Sequence, residues 1–189
     1  PIDGDISFKD LVYGKINTKC SELDDFIIAR SDGSPTYNLT VVVDDNDMNI
    51  SHVIRGEDHI SNTPKQMLIY KALEWTIPKF GHLPMILGSD GKRLSKRHGA
   101  KGTSEYKDLG YLPDTLINYL ALLGWNPGND DEIFDFNYLK ENFSLDKVNK
   151  KSAVFDNTKL EWVSSQNIFK ISAAKLVDIA SEFDPTWCG

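Results

Sequence analysis

The sequence predicts an α/β fold that gives way, near residue 103, to a mainly α-helical segment. Three observations carry that prediction. The stretch Ile50-Ser51-His52-Val53-Ile54-Arg55 alternates apolar and polar residues, as a half-buried strand does. Thr63-Pro64-Lys65-Gln66 has the composition of a helix start, and Met67, Leu68, Tyr70, Lys71 and Leu73 continue one helical face behind it. Past residue 103, apolar residues recur at helical spacing, most densely as Leu116, Ile117, Tyr119, Leu120, Leu122 and Leu123.

The elements follow in order. Ile6-Ser7-Phe8, Leu11-Val12-Tyr13-Gly14 and Phe26-Ile27-Ile28-Ala29-Arg30 read as short strands and turns, and Ser31-Asp32-Gly33-Ser34-Pro35 as a turn. Residues 36–48 fit two readings. Val41-Val42-Val43 favours a strand through β-branching, while Leu39, Val42 and Val43 also sit at helical spacing. In the next helix Thr63 is expected to cap, Pro64 to take the first helical position and Gln66 to complete a capping box, with the helix running to about Trp75 and stopped by Pro78. Leu83 to Leu87 is a short apolar segment and Gly88 to Gly102 a polar one. Pro113 opens and Gly124 closes a helix, and Tyr138–Phe143, Asn157–Gln166 and Ala173–Phe183 are further helix candidates.

A length of 189 residues with 40% hydrophobic content supports a sizeable core, in one large domain or two small ones, and excludes the disordered class. The net charge of −7 weighs against a whole-surface coat of nucleic acid and permits a local basic patch. Cys20 and Cys188 lie far apart with no zinc-ligand spacing, which fits a reduced, cytoplasmic protein, with Cys20 a structural or exposed thiol. No apolar run approaches the roughly 20 residues that cross a bilayer, so no membrane partner is expected. The chain starts at Pro1 without an initiator Met and stops shortly after an apolar-faced segment, as an internal piece of a longer protein would.

The segment 88–99 carries the strongest chemical signal. It holds three glycines, with Lys92, Arg93, Lys96 and Arg97 close together. A flexible cationic loop suits a polyphosphate whose charge grows during reaction. Read alone, such a loop is also an ordinary solvated turn, and it lacks the order of a Walker A loop. Adjacent carboxylates such as Asp44-Asp45 point in different directions and suit solvation or capping better than a metal pair. His52, His59, His82 and His98 have no ligand spacing, and no metal site is expected.

Arg93-Leu94-Ser95-Lys96-Arg97 resembles the KMSKS signature of class I aminoacyl-tRNA synthetases, in the form found in bacterial-type glutamyl-tRNA synthetases. The neighbours extend the likeness: His82-Leu83-Pro84 before it, His98-Gly99 after it, Val53-Ile54-Arg55-Gly56-Glu57-Asp58-His59 and Asp32-Gly33-Ser34-Pro35-Thr36-Tyr37-Asn38-Leu39 upstream, and Gly110-Tyr111-Leu112-Pro113, Leu122-Leu123-Gly124-Trp125 and Val154-Phe155-Asp156 downstream. The resemblance implies the C-terminal half of a Rossmann-type catalytic domain followed by an α-helical stem-contact domain. The implied limits are 1–33 for the end of an acceptor-binding insertion, 34–102 for the catalytic part, 103–170 for the stem-contact part and 171–189 for the start of an anticodon-binding domain.

The same resemblance assigns roles. Lys96 is the catalytic residue, steadying the ATP phosphates, with Arg93, Leu94, Ser95 and Arg97 in the ATP loop and Leu94 offering backbone groups to the adenine. Tyr37 and Arg55 hold the amino acid; an Arg fork suits a substrate with two carboxylates. Lys147, Lys150 and Lys151 are candidate tRNA phosphate contacts, with a solvated charged face as the plainer reading. Glu57-Asp58-His59 is expected to be neither acid–base nor metal machinery, since adenylation needs no protein base. Residues after Tyr37 are implied to be helical, against the valine propensity.

The implied parent joins L-glutamate to tRNA(Glu) as a cytoplasmic monomer using ATP with Mg2+. The HIGH signature of the class is missing from these 189 residues, so this chain alone is expected to form no adenylate. Three other readings stay open. A relative that charges a modified tRNA base would lack the helices after residue 126. A glutamine enzyme would differ in pocket and lysine loop. A non-catalytic tRNA-binding fragment would show weak, salt-sensitive binding.

Overall fold

The structure is a computed structural model that describes residues 4–95 and 101–183. It forms two compact units, Pro1–Pro84 and Met85–Gly189.

In the first unit, β1 (Asp5–Asp10) and β2 (Gly14–Lys19) make an antiparallel hairpin, with Asp5 opposite Lys19 and Asp10 opposite Gly14. Of the segments read as short strands and turns, residues 11–13 are the turn of this hairpin. Its cause is Asp10, whose Oδ1 accepts the backbone N–H groups of Val12 (2.9 Å) and Tyr13 (2.8 Å) and bends the chain. Phe26–Arg30 likewise joins no sheet. Its carbonyls turn onto the following loop, where Thr36 N–H donates to Ile28 and the Thr36 hydroxyl to Ile27, leaving one bridge between Ala29 and Pro35.

Residues Tyr37–Asp47 form helix α1, as the resemblance implied. Of the three valines only Val42 is fully buried, at 1% exposure, so helical spacing rather than alternation satisfies the core. The helix ends with Asn49 in the left-handed region (φ 55°), Asn49 N–H on the Asn46 carbonyl and Ile50 N–H on the Asp45 carbonyl. This is a Schellman arrangement, and Asn tolerates the left-handed position better than most residues.

Strand β3 (His52–Gly56), a 3-10 turn over Glu57–Asn62, helix α2 (Thr63–Ala72) and strand β4 (Lys79–Leu83) build a β-α-β unit. The two strands pair in parallel, and their register sets Arg55 directly beside His82. Ile6, Val42, Met67, Ile69, Tyr70 and Phe80 form the core beneath. The capping box expected at α2 is absent. Asn62 occupies the cap position without a side-chain bond to the helix backbone, while Thr63 and Gln66 are buried and turned to another partner.

In the second unit, β5 (Ile86–Leu87) pairs in parallel with β6 (Ala153–Val154), and Leu87 also bridges Arg93. Helices α3 (Thr103–Asp108), α4 (Pro113–Gly124), α5 (Phe136–Asn142), α6 (Asn157–Phe169) and α7 (Ala173–Phe183) follow. Tyr119 of α4 and Leu160 and Val163 of α6 centre the core, with Leu116, Leu122 and Phe155 against them. The Tyr119 hydroxyl donates to the Asp156 carbonyl (2.8 Å) and accepts the Asp156 N–H (2.7 Å). The Asp156 carboxylate in turn caps α6 through the N–H groups of Thr158 (2.8 Å) and Lys159 (3.3 Å).

Candidate functional site

Arg55 stands at the end of β3, and the surrounding elements hold its guanidinium from several sides. Nε donates to His82 Nε2 at 3.2 Å, and Nη2 donates to Thr63 Oγ1 and Gln66 Oε1, each at 2.8 Å, and to the His59 carbonyl at 3.4 Å. The carbon of the guanidinium lies 5.6 Å from the centre of the Phe80 ring. Burial pushes the Arg55 pKa down, and the Tyr37 hydroxyl and Asp45 oppose the shift. An arginine stays cationic under such conditions. These bonds use Nε and Nη2, and the Tyr37 hydroxyl adds a further side-chain hydrogen bond to the guanidinium.

His82 is fully buried, and its Nδ1 lies 2.6 Å from Asp10 Oδ2. Burial holds the His82 pKa down; Asp10 works against that shift and the Arg55 charge reinforces it. The ring is therefore neutral. Its proton belongs on Nδ1, facing the carboxylate, because Nε2 must accept from Arg55. Burial alone would raise the Asp10 pKa, but the N–H of Tyr13, the His82 ring and the N–H of Val12 outweigh it and keep Asp10 ionised.

Tyr37 opens α1 and is 48% exposed. Its hydroxyl lies 3.3 Å from His59 Nδ1 and the two rings are 5.6 Å apart, and the same hydroxyl also hydrogen-bonds the Arg55 guanidinium, so Tyr37, His59 and Arg55 form one cluster. Gln66 also donates to Asn38 Oδ1 at 3.1 Å, tying α1 to α2. Burial pushes the Asp45 carboxyl up, and the charge of Arg55 draws it back. Burial likewise raises Tyr70 to about 12, and its hydroxyl is enclosed without a hydrogen-bond partner. The Tyr13 hydroxyl donates to the Glu57 carboxylate, which ties Glu57 to the β1–β2 turn.

Thus the structure brings Tyr37 and Arg55 together and adds Asp10, His82, Thr63 and Gln66, which the sequence reading did not assign to a site. The missing signal was register: once β3 and β4 are parallel neighbours, Arg55 and His82 fall side by side. Among the described residues, no three His, Cys, Asp or Glu side chains gather as a metal site.

Arg93, Leu94 and Ser95 lie in the second unit. The segment before them is bonded as a tight turn rather than an open loop. Gly88 N–H donates to the Lys92 carbonyl (2.8 Å), Gly91 N–H to the Gly88 carbonyl (3.0 Å) and Leu94 N–H to the Ile86 carbonyl (2.9 Å). Gly91 sits at φ 74°, where a side chain would be strained. The Leu94 N–H is thereby committed to Ile86. Lys96 and Arg97 lie outside the described residues. Lys147, Lys150 and Lys151 are exposed, and Lys147 Nζ contacts the Pro127 carbonyl at 3.4 Å. Lys150 and Lys151 line a surface cavity of about 630 Å³.

Residues 1–162 match the family described as tRNA synthetases class I (E and Q), catalytic domain. The chain is 50% identical over 183 residues to a glutamate–tRNA ligase of Nitrosospira multiformis, covering 97% of this chain and 39% of that protein. It is 51% identical over 183 residues to a glutamate–tRNA ligase of Nitratidesulfovibrio vulgaris, again covering 97% and 39%. A crystal structure of a glutamate tRNA ligase from Elizabethkingia meningosepticum, in complex with its amino acid, superposes with TM-score 0.80 at 35% identity, over 91% of this chain and 38% of that one. The chain thus spans about 39% of the length of the curated relatives it matches. The β-α-β unit that carries Arg55 and the sequence match over most of the chain agree, and the chain belongs to the class I tRNA synthetase family for glutamate and glutamine, catalytic domain.

Proposed function

We propose that this chain is the part of a glutamate–tRNA ligase that holds the amino acid through Tyr37 and Arg55 and the ATP phosphates through the loop at Lys96. The observation that carries the reading is Arg55. A cation seated over Phe80 and fixed by His82, Thr63 and Gln66, with the Tyr37 hydroxyl as a further hydrogen-bond partner, is held in place for an anionic ligand. A carboxylate is a natural counter-ion for a guanidinium fixed in this way. The relatives named glutamate–tRNA ligases supply the identity of that carboxylate.

In the reaction, one α-carboxylate oxygen of glutamate attacks the α-phosphorus of ATP in line, the bond to the bridging oxygen breaks, and pyrophosphate leaves. A terminal ribose hydroxyl of tRNA(Glu) then attacks the acyl carbon, and AMP leaves. Arg55 and Tyr37 orient the amino acid. Lys96, with Arg93, Leu94, Ser95 and Arg97 around it, meets the phosphate charge as it develops. Mg2+ is expected to arrive on the nucleotide phosphates. Lys147, Lys150 and Lys151 are read as phosphate contacts for tRNA. The β3–α2–β4 unit is read as the second half of a Rossmann-type domain within 34–102, with 1–33 an insertion end, 103–170 a stem-contact region and 171–189 the start of an anticodon-binding region. The whole protein is read as a cytoplasmic monomer.

ATP–pyrophosphate exchange with the full-length protein tests this. Arg55→Lys is expected to raise the glutamate KM on the order of tenfold or more, because a lysine cannot keep the fork. Lys96→Ala is expected to lower kcat on the order of a hundredfold while leaving glutamate binding in place. Exchange that responds to neither substitution overturns the reading.

A further inference from the structure

We propose that Asp10 and His82 are positioning residues for the glutamate pocket: the Asp10 carboxylate fixes the His82 ring with its proton on Nδ1, and His82 Nε2 then fixes the Arg55 guanidinium. This rests on the reading of Arg55 as a substrate-binding residue.

The geometry is a chain of three side chains from three strands. Asp10 closes β1, His82 lies in β4 and Arg55 in β3. Asp10 Oδ2 meets His82 Nδ1 at 2.6 Å, and His82 Nε2 meets Arg55 Nε at 3.2 Å. Asp10 and His82 are 1% and 0% exposed, so neither can exchange its partner for water. The ring is also held by Phe80, nearly parallel to it at 6.4 Å, and by Phe8, edge-on at 6.4 Å. Only one protonation pattern satisfies the whole chain. A proton on Nε2 would point at the Arg55 Nε–H, and two donors would face each other. Thr63 Oγ1 sits 3.2 Å from the same Nε2 and 2.8 Å from Arg55 Nη2, so it senses the same pattern.

Asp10 has a further property that makes it testable. Its Oδ1 is held by the N–H groups of Val12 and Tyr13, with the His82 N–H at 3.4 Å, so the carboxyl plane is fixed. In Asp10→Asn the amide oxygen stays on those turn N–H groups, and the NH2 is turned toward His82 Nδ1. The ring must then accept at Nδ1 and carry its proton on Nε2, against Arg55. The turn keeps its bonds while the orientation of the guanidinium is lost.

Two measurements test this. In the full-length protein, a long-range 1H–15N spectrum is expected to show His82 neutral with its proton on Nδ1. A wild-type ring protonated on Nε2, or on both nitrogens, overturns the proposal without any variant having to fold. In the full-length protein, Asp10→Asn is expected to raise the glutamate KM on the order of tenfold, with the ATP KM within about twofold and kcat little changed. Ser7→Ala removes the 2.5 Å bond from Ser7 to Asn17 in the same hairpin and is expected to leave the glutamate KM unchanged. A rise in the ATP KM equal to that for glutamate, an equal effect from Ser7→Ala, or no effect of Asp10→Asn overturns the proposal. Arg55→Lys separates the two readings. If it leaves the glutamate KM unchanged, the pocket assignment fails, whereas the His82 spectrum still decides whether Asp10 sets the ring.

Discussion

The buried His82 ring sets a pH dependence with a definite sign. Burial, reinforced by Arg55, holds its folded pKa below the ordinary 6.5. The unfolded chain therefore binds the proton first as pH falls, and stability drops from about pH 6.5 downward until the folded value is passed. Asp10 has the same sign at lower pH. Its folded pKa lies below 3.8, so its contribution is present above that value and lost as pH falls through the folded pKa. Asp45 has the opposite sign: its carboxyl is pushed up by burial, so the folded state prefers it protonated and that preference is lost as pH rises through its folded pKa. Urea midpoints of the 189-residue chain should thus fall from pH 7 to pH 5. His82→Gln should be less stable at pH 7 and lose part of that slope; an unchanged slope would show that His82 is not its source. Arg55 and Tyr37 were legible in the sequence from the motifs around them. Their support was not, because Asp10 and Arg55 are distant in sequence and nothing local fixes strand register. Thr63 and Gln66 were visible but misassigned. Their types fit a capping box, and a buried guanidinium competed for both side chains with a stronger, charge-assisted bond.

At the scale of elements, helix length and type were read well where period and punctuation agreed. Pro113–Gly124 and Ala173–Phe183 formed within the expected limits. The first unit was read less sharply, because strands and turns were not told apart: residues 11–13 are a carboxylate-capped turn and residues 26–30 join no sheet beyond one bridge. Helix α2 ended before Trp75 for a reason that composition does not show. Glu74 takes the left-handed region at φ 57°, with its N–H on the Lys71 carbonyl and Trp75 N–H on the Tyr70 carbonyl. The motif matches the one after α1, but there Asn holds the left-handed position. A side chain with a Cβ costs about 1–2 kcal/mol there, while glycine adds back about 0.5–1 kcal/mol through unfolded-chain entropy. Glu74→Gly is therefore expected to stabilise the chain by up to about 1 kcal/mol. Equilibrium urea denaturation measures it, and a destabilised variant would mean that Glu74 contributes more through its side chain than its backbone costs.

For the whole molecule, the decisive fact is proportion. The chain spans about 39% of the curated relatives it matches, although nearly all of it aligns with them. Its first unit holds Tyr37 and Arg55, and its second unit holds Arg93, Leu94 and Ser95. No HIGH sequence occurs among its 189 residues. Holding the amino acid and steadying phosphate charge are separate contributions to one barrier, and they multiply only when both reactants are positioned together. A partial set of binding groups supplies ground-state affinity without the oriented attack that makes catalysis. The 189-residue chain is therefore expected to show no glutamate-dependent ATP–pyrophosphate exchange above a no-enzyme control, while the full-length protein does. Adding the missing remainder in trans should restore exchange if the two parts associate. Clear exchange by the 189-residue chain alone would mean that the positions named here suffice to place both reactants, and the division of labour proposed for the signature motifs would have to be abandoned.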